Sequence, residues 1–192
     1  MRIRSTAVGM LLVCTVAAGC GLGITYTSHS AAGKSSPAPV EPSPGSLAYL
    51  DFKNGFRDLT FGDPYPQTMR LIEDDGETKY YTRAGDDLTI GGSTVQRIVY
   101  GFYQGRFYAV LIETDGYANS RALLEVLREA YGPGTRPNRL MERYAWHGTR
   151  VWLTYEEHPR SHEATVIYTS IPLSDERQAA EKAKSRQGVS GL

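Results

Sequence analysis

The chain has 192 residues, with 21 basic and 21 acidic side chains that leave no formal net charge at pH 7. That balance supplies no basic surface, so nucleic acid is excluded as a partner class. The length suits one domain of ordinary size together with terminal segments.

Arg2 and Arg4 give the chain a basic start, and an apolar run from Ala7 to Ala18 follows. The run exits through Ala17-Ala18-Gly19-Cys20. A basic head, an apolar stretch and a small-residue exit make up the three-part plan of a signal peptide, which here occupies residues 1–19. These residues resemble the bacterial lipoprotein signal, in which a cysteine after a Leu-Ala-Gly-like triplet is acylated and becomes the mature N-terminus. The chain departs from that pattern at Ala17, where the family more often carries Leu. The resemblance implies export, lipidation of Cys20 with palmitate among the acyl groups, and a membrane-anchored protein of the cell envelope. Gly21 replaces the acidic residue that signals inner-membrane retention in that family, which implies the outer membrane where the host has two.

Two other readings stay open. Val16-Ala17-Ala18 also suits ordinary signal cleavage and secretion, and the uncharged stretch from Ser5 to Gly33 reaches the roughly 20 residues of a membrane-spanning helix. Gly19, Gly21 and Gly23 oppose the helix, because each interior Gly costs about 1 kcal/mol relative to Ala.

Processing would remove Arg2 and Arg4, leaving 19 basic against 21 acidic side chains, a charge of −2. It would also remove Cys14 and consume Cys20, so neither a disulfide nor a thiol nucleophile remains. A domain without disulfides must be stable through its buried core. Residues 20–46 are rich in Pro, Ser and Gly and read as a flexible tether.

The globular domain is expected over 47–173. Leu47 to Ile72 reads as a short strand leading to a short helix. Within it, Leu59-Thr60-Phe61-Gly62 ahead of a helix and later strands is similar to the small outer-membrane lipoproteins that assist barrel-protein assembly. The likeness assigns no residue a role. Lys79–Arg83 is a strand between the acidic turns Asp74-Asp75-Gly76 and Gly85-Asp86-Asp87.

Arg97–Tyr103, the loop Gln104-Gly105 and Arg106–Glu113 form a β-hairpin, since a two-residue loop ending in Gly joins two aromatic and β-branched runs. That loop pairs Phe102 with Phe107, Tyr100 with Ala109 and Ile98 with Leu111 on the core face. On the other face it sets Gly101 against Tyr108. Leu123, Val126, Leu127, Ala130 and Tyr131 follow helical spacing, with Asn119 or Ser120 as the cap and Gly132-Pro133 as the stop.

Tyr144–Tyr155 is a second hairpin about Gly148-Thr149, pairing Trp146 with Val151 and Tyr144 with Leu153. Ala164–Ile171 alternates as a last strand. Residues 174–192 read as a charged, Ala-rich tail, either a frayed helix or disordered. The expected fold is a single α+β domain, a mostly antiparallel sheet built from β-hairpins, with one long and one short helix on one face.

Chemistry is sparse. Glu156, His158 and His162 could supply metal ligands for a periplasmic metal-dependent hydrolase. Pro159, however, suits a loop better than the helix that would align two His four residues apart. Asp and Glu beside Gly at 74–77 and 86–87 are ordinary turn residues. Ser93 in Gly91-Gly92-Ser93-Thr94-Val95 lacks the second glycine of a nucleophile elbow. No catalytic set and no cofactor are indicated. The 13 Tyr, 5 Phe and 2 Trp instead concentrate on the hairpins. Tyr108 and Trp152 fall opposite the expected core and are candidates for a binding face. The leading expectation is a lipid-anchored envelope protein that binds or scaffolds an envelope protein partner.

Overall fold

The computed structural model describes the backbone of residues 40–189 and side chains to residue 187. The signal, Cys20 and most of the tether lie outside the described residues.

The domain opens with a helix, α1 (Leu47–Lys53), followed by the two-residue strands β1 (Gly55–Phe56) and β2 (Leu59–Thr60). This reverses the expected strand-then-helix order. Ser46 starts the helix because its Oγ accepts a bond from Tyr49 N, and Asn54 ends it in the left-handed region at φ 38°. Pro64 and Pro66 then deny the backbone the N–H groups a helix needs. Residues expected to be helical are extended instead, as β3 (Met69–Asp75), which pairs antiparallel with β4 (Thr78–Arg83).

The chain continues through β5 (Thr89–Ile90), β6 (Ser93–Tyr103), β7 (Arg106–Thr114), α2 (Gly116–Tyr131), β8 (Arg143–His147), β9 (Val151–Glu157), β10 (Ala164–Ser170) and α3 (Ile171–Val189). The main sheet runs β3-β4-β6-β7-β10-β9-β8, with β5 beside β6. Its pairings are antiparallel, so the fold is a single α+β domain on a mostly antiparallel sheet, as expected. One cross-strand row traverses all seven main strands: Leu71, Tyr81, Tyr100, Val110, Tyr168, Leu153, Trp146. Every member except Leu71 is buried. Leu50, Leu59, Phe61, Leu123, Leu124 and Leu127 close over this face and complete the core.

The first hairpin keeps its two-residue loop and its Phe102–Phe107 pair, but its register then departs from expectation. A bulge at Tyr108 sets Gly101 against Ala109, Tyr100 against Val110 and Ile98 against Ile112. The extra residue re-phases β7, so Val110 and Ile112 enter the core in place of Ala109 and Leu111. Tyr108 still covers Gly101, where a methyl group would come 3.0 Å from its ring.

The second hairpin pairs Trp146 with Leu153 and Tyr144 with Tyr155, two positions from the expected register, which preserves the buried face. Asp51 of α1 holds its loop open. The carboxylate accepts from Thr149 N at 2.7 Å, Thr149 Oγ1 at 2.8 Å, Arg150 N at 2.8 Å and Val151 N at 3.0 Å.

Helix α2 begins earlier than its expected caps, after Asp115. Asn119 and Ser120 therefore lie within it, and their side chains bond Thr94 N and His162 O. Of the two readings of the C-terminal segment, frayed helix or disordered, the structure shows a helix. The expected tail from Ser174 is continuous with α3, and α3 packs on the sheet face opposite the core, where Leu173 joins Tyr103, Tyr108 and Ala109.

Candidate functional site

The outer sheet face consists of side chains that alternate away from the core, and three cross-strand rows describe it. The first runs Trp152, Thr169, Ala109, Gly101, Tyr80. The second runs Thr154, Ile167, Leu111, Val99. The third, Arg143, Glu156, Thr165, Glu113, Arg97, carries the charges. Arg97 grips Glu113 through two bonds of 2.9 Å, and Arg143 pairs with Glu156. The charged row thus neutralises itself and borders two rows of apolar and hydroxyl side chains.

Helix α3 covers one end of this face. Arg177 lies over the Tyr108 ring at 5.8 Å, Glu176 binds Arg106 at 2.6 Å, and Lys184 binds Glu77 at 3.1 Å. Tyr108 is consequently only 5% exposed, beneath α3 rather than open to solvent. Burial and the 3.3 Å contact with the Tyr80 hydroxyl push its ionisation well above the usual range, so it stays a neutral phenol. The uncovered end behaves differently. Trp152 is 47% exposed and Ile167 36%. Between them and α3 lies a groove of about 240 Å³ lined by Val99, Leu111, Ile167, Thr169, Ser174 and Arg177.

The histidine loop occupies the turn between β9 and β10. The structure does not bring Glu156, His158 and His162 together. His158 Nδ1 lies 3.2 Å from Ser161 N and 3.1 Å from Ser161 Oγ, within its own turn. His162 Nδ1 faces Glu157 Oε1 at 2.9 Å, and Glu156 points to the outer face with Arg143. Among the described residues, no group of three or more His, Cys, Asp or Glu is arranged to hold a metal.

Glu157 is the residue that sequence reasoning missed. Its side chain is 3% exposed and also meets Tyr155 Oη at 2.9 Å and Arg121 Nε at 3.2 Å. Arg121 in turn binds Glu142 at 3.0 Å. Burial alone would raise the Glu142 carboxyl, but Arg121, the Tyr144 hydroxyl and Arg136 together outweigh burial and hold it below its ordinary value. Strand phase was the available signal, since Glu157 continues the inward series Val151, Leu153, Tyr155. The network ties the loop to α2, through Ser120 Oγ donating to His162 O at 2.6 Å as well. It pairs a buried carboxylate rather than offering it to a substrate.

No family model, curated protein or solved structure matches this chain.

Proposed function

We propose that this is an exported envelope protein, held to a membrane by a lipid on Cys20, whose domain binds a protein partner through its outer sheet face. The observation that carries the reading is the uncovered half of that face. Trp152 and Ile167 stand exposed beside an apolar groove, while α3 closes the other half. Apolar side chains grouped on a sheet surface with a polar border have the composition of a protein-binding patch. A large aromatic such as Trp152 is the residue type on which binding energy concentrates. The self-neutralised charged row gives the border hydrogen-bonding capacity without selecting a strongly charged partner.

The test is crosslinking in cells that carry the full chain, followed by recovery of partners. Wild type and Tyr117→Ala, altered at an exposed residue of α2 away from this face, should recover the same specific protein. Trp152→Ala should lose it. Equal recovery with Trp152→Ala, or no specific partner with wild type, would sink the reading.

A further inference from the structure

The two edges of the main sheet are finished differently. At the β8 edge, Thr135 N donates to Ala145 O at 2.8 Å and Ala145 N returns a bond of 2.9 Å to Thr135 O. Trp146 Nε1 donates to Gly132 O at 2.8 Å, so the segment after α2 seals that end of the apolar row. At the β3 edge the same row ends in Leu71, which is 44% exposed, with Ile72 beside it at 43%. Every β3 residue after Met69 is exposed. An edge with free backbone groups and apolar side chains is a template for another strand.

The charges on β3 restrict which strand fits. Asp74 is taken by Lys79 at 2.9 Å, whereas among the described residues neither Arg70 nor Glu73 has an ion-pair partner. The bulge at Ile72 places Ile72 and Glu73 together on one side of the strand. In an antiparallel pairing centred on Leu71, Leu71 of one copy meets Leu71 of the other. Each Arg70 then comes beside Ile72 and Glu73 of the other copy. The edge is self-complementary, and antiparallel pairing gives the closed two-fold symmetry of an isologous dimer. An unrelated strand lacking a basic residue at that place would leave Glu73 unpaired.

We propose that two copies of this chain associate through antiparallel β3–β3 pairing centred on Leu71, continuing the apolar row from one sheet into the next. A single seven-residue strand buries little surface, so the dimer is weak and reversible. The inference does not depend on the outer face or its partner.

Sedimentation velocity of the full chain in nonionic detergent, over a wide concentration range, tests it. Wild type should show a monomer–dimer equilibrium. Arg70→Glu should raise the dissociation constant about tenfold, and Arg70→Glu with Glu73→Arg should restore it, because the swap rebuilds the cross-axis pair. Leu71→Lys should abolish the dimer while leaving the melting temperature nearly unchanged at so exposed a position. The charge-swap series needs no core substitution, so it decides the matter even if Leu71→Lys misfolds. A monomer at every concentration would overturn the proposal. So would a dimer indifferent to Arg70→Glu and Leu71→Lys, or one dissolved by Trp152→Ala instead.

Discussion

Asp51→Ala should be among the most damaging changes available at a surface position. The carboxylate accepts four bonds of 2.7 to 3.0 Å from Thr149, Arg150 and Val151, and these hold the β8–β9 loop to α1. Three of the donors reach water once the carboxylate is gone, so each is worth only about 0.5–1 kcal/mol. The N–H of Val151, whose residue is fully buried, loses its only acceptor at a cost of about 1–3 kcal/mol. Together the loss is about 2.5–6 kcal/mol, which for a domain of this size lowers the melting temperature by roughly 5–24 °C. Gly148 supplies an internal check. A methyl group there would sit 2.3 Å from Asp51 Oδ1, so Gly148→Ala should also destabilise. In the Asp51→Ala background that clash is absent, and the double variant should be milder than the sum of the two. Thermal unfolding of the three variants measures the cycle. Strict additivity, or Asp51→Ala melting within about 1 °C of wild type, would refute the reasoning.

The same carboxylate sets an acid limb. Burial pulls the Asp51 carboxyl upward, but the Thr149, Arg150 and Val151 N–H groups together with the Thr149 hydroxyl outweigh it and hold it below its ordinary 3.8. Its contribution is therefore complete above that value and is lost as pH falls through the lowered one, so wild type and Asp51→Ala should converge in stability on acidification. A constant gap down to pH 2, read by denaturant titration, would contradict this. Leu127 is 1% exposed within the core, and Leu127→Asp should cost more than about 4 kcal/mol and abolish the far-UV signature of the fold. Leu173→Asp with Arg177→Ala should release α3 and speed tryptic cleavage at its basic residues while the core stays folded; unchanged cleavage would show that other contacts hold the helix. Glu157→Gln should cost about 2 kcal/mol by leaving Arg121 and His162 without their buried charge, and a loss under about 0.5 kcal/mol in urea unfolding would deny the network that role.

Local pattern carried most of the architecture. The Gln104-Gly105 loop, the stripe of Leu123 and Leu127 and the alternation of Val151, Leu153 and Tyr155 each expressed a period that packing then respected. The failures are long-range. Nothing near Tyr108 announces a bulge, whose benefit is the entry of Val110 and Ile112 into a core made by other segments. The shift at Gly148 comes from Asp51, nearly a hundred residues earlier. Helix α3 is polar along most of its length, and it is held by Leu173, one cation–aromatic contact and ion pairs that no periodicity reveals. Of the candidate site, Trp152 was legible from strand phase. Strand phase also sets Tyr108 on the outer face, but its cover by α3 is a long-range contact with no local pattern. Glu156 faces outward with Arg143, and its inward neighbour Glu157 is the residue that holds His162.

The proposal of an anchored binding module rests most directly on Cys20, and the mass of the mature N-terminus of the full chain made in a bacterium tests it. A polypeptide beginning at Cys20 and carrying two or three acyl chains is the predicted result. An intact Met1, or an N-terminus without acyl groups, would contradict the account.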